Sequence, residues 1–127
     1  MSVPIRTLIV DDNAGHRAAL GALMKALDVD AETAIDGIEA LEKLQSRVYD
    51  LVLMDVTMPR MDGLTAVRQF RSWEDDHAIM RTPIVMVTSH DEPDDRAASL
   101  AAGATDHVTK PVALARMLNA LELALAP

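Results

Sequence analysis

Four apolar runs of this chain end on, or lead straight to, residues able to do chemistry. Ile5–Val10 is followed by Asp11 and Asp12, Leu51–Met54 by Asp55, Ile84–Val87 by Thr88 and Ser89, and Thr105–Val108 leads to Lys110-Pro111. Three carboxylates brought within a few ångströms repel, and at least one is pushed toward protonation. A hard divalent cation removes the conflict. Magnesium takes oxygen ligands, keeps several waters and settles on one or two carboxylates plus a phosphate oxygen. An ammonium such as that of Lys110 competes with a metal alone, but it fits once a dianionic phosphoryl group lies between the two. A carboxylate is also a nucleophile toward phosphorus and forms an aspartyl phosphate. Asp55, after the central run, is the natural acceptor, with Thr88 donating to a phosphoryl oxygen.

These side chains meet only if the runs are neighbouring parallel strands. The first, third and fourth runs are nearly continuous in Ile, Val, Leu and Met, which suits strands covered on both faces. The second run, Ala31–Ile35, is short and partly polar. Segments of helical period fill the gaps. Asn13 caps the first, with Leu20, Leu23, Met24 and Leu27 on one face. Asp36 and Glu39 form a capping box for the second, which buries Ile38, Leu41 and Leu44. Asp62 caps the third, with Leu64, Val67 and Phe70 inward, before a long Arg71–Arg81 connection. The fourth has Pro93 at its start and Asp94 and Asp95 in its first turn, where the helix dipole favours them. The fifth carries Leu114, Met117, Leu118, Leu121 and Leu125 on one stripe, with Leu123 opposite. Strict strand–helix alternation predicts a doubly wound α/β domain with right-handed crossovers. Ligands of such folds bind beyond the carboxyl ends of the strands, where the runs above terminate.

Composition narrows the function. The 127 residues make one domain's length, half of them apolar and a quarter charged. The net charge of -8, without any Lys/Arg cluster, argues against nucleic-acid binding. Tyr49, Phe70 and Trp73 are too few aromatics for a base-stacking platform. With no cysteine, disulfide scaffolds and cysteine-ligated metal sites are out. No apolar run is long enough to span a membrane, and the amino terminus does not have the pattern of a secretory signal, so a cytoplasmic location is expected. Phosphate-cradling glycine loops are absent.

The combined pattern resembles the receiver domain of two-component response regulators, including the single-domain chemotaxis regulators. The resemblance spans nearly the whole chain: Leu8-Ile-Val-Asp-Asp-Asn13, Asp36-Gly37, Asp50-Leu-Val-Leu-Met-Asp55, Met58-Pro-Arg-Met-Asp-Gly63, Pro83-Ile-Val-Met-Val-Thr88, Ala102-Gly-Ala104 and Lys110-Pro111. It implies a flavodoxin-like (βα)5 fold with strand order 2-1-3-4-5. It implies that Asp55 accepts a phosphoryl group from a histidine kinase or histidine phosphotransfer protein. Mg²⁺ would lie on Asp11, Asp12, Asp55 and the main-chain carbonyl of Thr57. Thr88 and Lys110 would contact the phosphoryl oxygens, and the Lys110–Pro111 bond would be cis. Output would pass through the face of the fourth helix, fifth strand and fifth helix.

The resemblance has departures. The family's switching aromatic, three residues before the lysine, is His107 here, whose imidazole would couple less strongly when protonated. Ser89 and Val112 replace a common Ala and Phe. Thr57 and His90, two residues past Asp55 and Thr88, occupy positions that tune aspartyl-phosphate lifetime in the family. The remaining histidines lack metal-ligand spacing and receive no ligand role. Residues 1–127 are expected to be one receiver domain without an effector domain, signalling through an unknown output protein and able to dimerise through the last helix. A receiver fragment of a larger hybrid kinase or regulator is the alternative. A Mg²⁺-dependent phosphohydrolase with an aspartyl-phosphate intermediate is another, but such sites want Asp-x-Asp after the first strand. That pattern occurs only at Asp28-Val-Asp30.

Overall fold

The computed structural model describes residues 5–89 and 92–126; the expectation for His90 lies outside them. Five strands, β1 (Arg6–Val10), β2 (Asp30–Ala34), β3 (Leu51–Met54), β4 (Ile84–Thr88) and β5 (Asp106–Thr109), alternate with α1 (Ala14–Ala26), α2 (Gly37–Ser46), α3 (Gly63–Asp76), α4 (Pro93–Ala102) and α5 (Leu114–Ala124). All strand pairs are parallel, in the order 2-1-3-4-5. The polar second run is explained by its place: β2 is an edge strand, so only part of it faces other protein.

Strand periodicity splits the core into two layers. Leu8, Val10, Val52, Met54, Ile84 and Met86 point to one face, where Leu41, Leu44, Val67, Phe70 and Ala102 from α2, α3 and α4 cover them. Ile9, Leu51, Leu53, Val85 and Val87 point to the other, beneath Leu20, Met24, Met117 and Leu121 of α1 and α5. Each such burial contributes about 1.5–3 kcal/mol. The three N-cap side chains act as anticipated, but the Asp36–Glu39 capping box does not close. Asn13 accepts from the His16 N–H, Asp36 from Glu39 and Asp62 from Thr65. The Glu39 carboxylate returns to the Ile35 N–H, one residue before the cap.

Two expectations need correction. The segment after Phe70 is helical to Asp76, so the connection to β4 is residues 77–83 rather than Arg71–Arg81. Its charged residues read as loop, yet Arg71 and Glu74 are both buried because they neutralise each other one helical turn apart, at 2.7 Å. Arg71 Nε donates to the Gly103 carbonyl at the end of α4, and the Glu74 carboxylate accepts from the Thr82 N–H. On α5, only Met117, Ala120 and Leu121 are buried. Leu114, Leu118 and Leu125 are exposed, because the helix meets the sheet along a narrower stripe than its leucines suggested. Leu123 is exposed as expected.

Removing one partner of a buried ion pair strands the other. Glu74→Ala should therefore cost about 3–5 kcal/mol in urea unfolding. A loss below about 1 kcal/mol, the scale of an exposed pair, would show that Arg71 escapes to water.

Candidate functional site

The parallel register brings the ends of β1, β3, β4 and β5 to one rim. The chain leaves β1 at Asp11, whose N–H donates to the Ala34 carbonyl, and leaves β3 at Asp55, whose N–H donates to the Val10 carbonyl. Asp11, Asp12 and Asp55 each present a carboxylate oxygen within 4.8 Å of the others. Asp11 is buried, Asp55 nearly so, and Asp12 is exposed at the mouth. Lys110 reaches this group from beyond β5. Its Nζ donates to Asp11 Oδ2 at 2.6 Å and lies 3.5 Å from Asp55 Oδ2. The Lys110–Pro111 bond is cis, and the Lys110 N–H donates to the Thr88 carbonyl, tying the lysine to the end of β4. Thr88 is fully buried at that rim, and Thr57 is exposed beside it.

Backbone geometry sets Asp55. The Gly63 N–H donates to the Val56 carbonyl, and α3 starts so close to β3 that a Cβ on Gly63 would stand 2.0 Å from the Asp55 carbonyl oxygen. Only glycine allows this approach. Arg60, in the left-handed region at φ 64°, turns the preceding loop back so that its Nε donates to Asp36 at 2.6 Å. The bond to this guanidinium holds the Asp36 carboxyl below its usual range.

Desolvation pushes the Asp55 carboxyl above its usual value. The Lys110 charge opposes this and the Asp11 charge adds to it. The ammonium meets the carboxylates of Asp11 and Asp55, and Asp12 adds a third, so acids outnumber it in the cluster. All the donors are carboxylate oxygens, the chemistry a hard divalent ion selects.

His107 is also fully buried. Its Nδ1 lies 2.9 Å from Ser99 Oγ on α4, and Arg96 donates to its carbonyl at 2.9 Å. Sequence reasoning did not anticipate the Ser99 contact. It also missed His16, whose Nδ1 lies 2.9 Å from Lys110 Nζ across 94 residues of chain. No local spacing signals either. Asp28 and Asp30, the Asp-x-Asp pattern, belong to the entry into β2 at the sheet's opposite end.

A five-stranded parallel sheet with an acid pocket and a lysine at its carboxyl rim defines a doubly wound phosphoryl-handling domain. The family model of the response regulator receiver domain matches residues 7–122, and the chain belongs to that family. It is similar to the response regulator MprA of Mycobacterium sp. (strain KMS), 40% identical over 116 residues, which cover 91% of this chain and 48% of that protein. The chain thus spans about half the length of this curated relative. Among solved structures, the receiver domain of a Pseudomonas aeruginosa sensor histidine kinase, with a magnesium ion coordinated in its active-site cleft, matches with TM-score 0.87 and 29% identity over 98% of this chain and 100% of that one. The receiver domain of a Saccharomyces cerevisiae response regulator, co-crystallised with a histidine phosphotransfer signalling protein, matches with TM-score 0.86 and 28% identity over 94% and 87% of the two chains. The fold and the assignment to the receiver domains of two-component response regulators follow. Receiver domains are generally signalling switches rather than turnover enzymes, and they bind Mg²⁺ in an acidic site.

The crowding of charge is measurable without metal. In chelator, Asp12→Asn should raise the unfolding midpoint, by about 0.5–2 kcal/mol of stability, because one repelling charge leaves. Asp55→Asn tests the sign of its shift. Well below the ordinary aspartate value of about 3.9, the acid is neutral in both folded and unfolded chains, and the variant has no advantage. As pH rises the unfolded chain ionises first, so wild type loses stability relative to the variant until the raised folded value is passed. An advantage that shrinks with rising pH would contradict the site.

Proposed function

We propose that Asp55 is the phosphoryl acceptor of this switch. The observation that carries the reading is the convergence of three carboxylates within 4.8 Å of one another, two of which, those of Asp11 and Asp55, meet one lysine. Asp11, Asp12, Asp55 and the Thr57 carbonyl would hold Mg²⁺, which when bound supplies charge neutralisation for a phosphoryl group. In the transfer, an Asp55 carboxylate oxygen bonds to phosphorus as the P–N bond of a phosphohistidine breaks, and the electron pair returns to the donor imidazole. Lys110 keeps its proton and pairs with a phosphoryl oxygen, and Thr88 donates its hydroxyl proton to another. The chain carries out this transfer, and the later hydrolysis, on itself only.

A phosphohistidine donor, a histidine kinase or a histidine phosphotransfer protein, must lie against the rim. A cleft of about 550 Å³ adjoins Lys110, walled by Leu20, Leu23, Pro111 and Val112, and offers it apolar surface next to the acceptor. The output face is α4–β5–α5. Arg96 and Arg116 both pair with Asp106, and both donate to the His107 carbonyl, so β5 is clamped to both helices. A shift at Thr88 that displaces His107 would be felt by both, and we assign His107 the switching role. Thr57, together with His90, is assigned to tuning phosphoryl lifetime, and the cis Pro111 to aiming Lys110. The exposed Leu114, Leu118 and Leu123 suit α5 to an output protein or a second copy. We read residues 1–127 as one receiver module. No described helix is long and apolar enough to cross a membrane, which supports a cytoplasmic setting.

Incubation with acetyl phosphate and Mg²⁺ should add the mass of one phosphoryl group to wild type, and none to Asp55→Asn or in chelator. Labelling of Asp55→Asn to the wild-type extent would remove Asp55 from the mechanism. Continued turnover of phosphate esters would favour a phosphohydrolase.

A further inference from the structure

An ammonium carries three N–H donors and no acceptor. For Lys110, Asp11 Oδ2 lies at 2.6 Å, His16 Nδ1 at 2.9 Å and Asp55 Oδ2 at 3.5 Å. Because the lysine only donates, His16 Nδ1 is the acceptor in this contact, and the same nitrogen lies 3.5 Å from Asp11 Oδ2. The ring covers the solvent side: the His16 side chain is 48% exposed, whereas that of Lys110 is 12%. Its placement is built in. The His16 N–H donates to Asn13 Oδ1, and the Asn13 N–H donates to Asp11 Oδ1, both at 2.9 Å. Arg17 donates to the Asp11 carbonyl at 2.8 Å. The helix cap, the buried acid and the imidazole are therefore one connected frame around the lysine.

We propose that His16 is a positioning residue for phosphoryl transfer, a neutral acceptor that holds the Lys110 ammonium at the rim of the acid pocket. The inference rests on the reading of Asp55 as acceptor. Without His16, the side-chain partners left to the ammonium among the described residues are the carboxylates of Asp11 and Asp55. Drawn the rest of the way onto Asp55 Oδ2, from which it stands 3.5 Å, it would mask the nucleophile and fill the space a divalent cation needs. An acid at position 16 would add a charge to an already overloaded pocket, whereas the imidazole adds an acceptor and no charge. When the Asp55 oxygen–phosphorus bond forms and the P–O bond of acetyl phosphate breaks, with the electron pair leaving on acetate, Lys110 stays protonated. It needs only to exchange a nearby partner for a phosphoryl oxygen.

The test compares wild type, His16→Leu and His16→Asn, whose amide oxygen takes the place of Nδ1, labelled by acetyl phosphate at saturating Mg²⁺. His16→Leu should slow labelling roughly threefold to tenfold, the scale of one hydrogen bond, and His16→Asn should stay within about twofold of wild type. Leu at the wild-type rate, or Asn as slow as Leu, would overturn the proposal. An independent reading needs no metal and no variant. Long-range ¹H–¹⁵N spectra of wild type in chelator should show His16 as the Nε2–H tautomer, and an Nδ1–H ring would overturn the proposal even if His16→Leu does not fold. Failure of wild type to label at all would instead count against Asp55 as acceptor.

Discussion

The structure depends on a conflict of charge that it does not resolve by itself. Three carboxylates converge where β1 and β3 end, and a single ammonium stands among them. The fold holds them there with its backbone: the Asp55 N–H is bound to Val10, the Asp11 N–H to Ala34, and Gly63 lets α3 press against Asp55. None of these contacts is available to relax. The surplus is negative, so the charge that answers it is a cation's, and a donor set made wholly of carboxylate oxygens suits a hard divalent ion.

The rest of the domain keeps that conflict local and makes it matter elsewhere. Two apolar layers, one on each face of the sheet, hold the strands in register to the residue. On the side of β4 and β5 the packing turns polar. Ser99 and His107 share a buried contact, Arg96 and Arg116 converge on Asp106, and Arg71 ties α3 to the end of α4. Polar contacts of this kind have directional geometry, so a small displacement at the rim changes which of them can be made.

Much of the fold was legible because its signals are local. The caps at Asn13, Asp36 and Asp62 act between residues three apart, and the buried strands announce themselves by continuous apolar runs. Where the reading failed, the deciding partner was distant or mutual. Arg71 and Glu74 looked like loop because burial of a charge is intelligible only with its counter-charge and the Gly103 and Thr82 groups in view. The leucines of α5 looked like one core stripe, but only Met117, Ala120 and Leu121 are buried, and how wide a stripe is covered depends on how the helix seats on the strands.

The site shows the same division. Residue types at the ends of apolar runs determined that acids, a hydroxyl and a lysine would share one rim, since parallel strands have all their carboxyl ends on the same side. Only the tertiary structure decided which carboxylate is buried, which one the lysine touches, and that His16 lies against Lys110 and Ser99 against His107. Those outcomes rest on distances of a few ångströms between segments up to 99 residues apart in the chain, which no local spacing encodes.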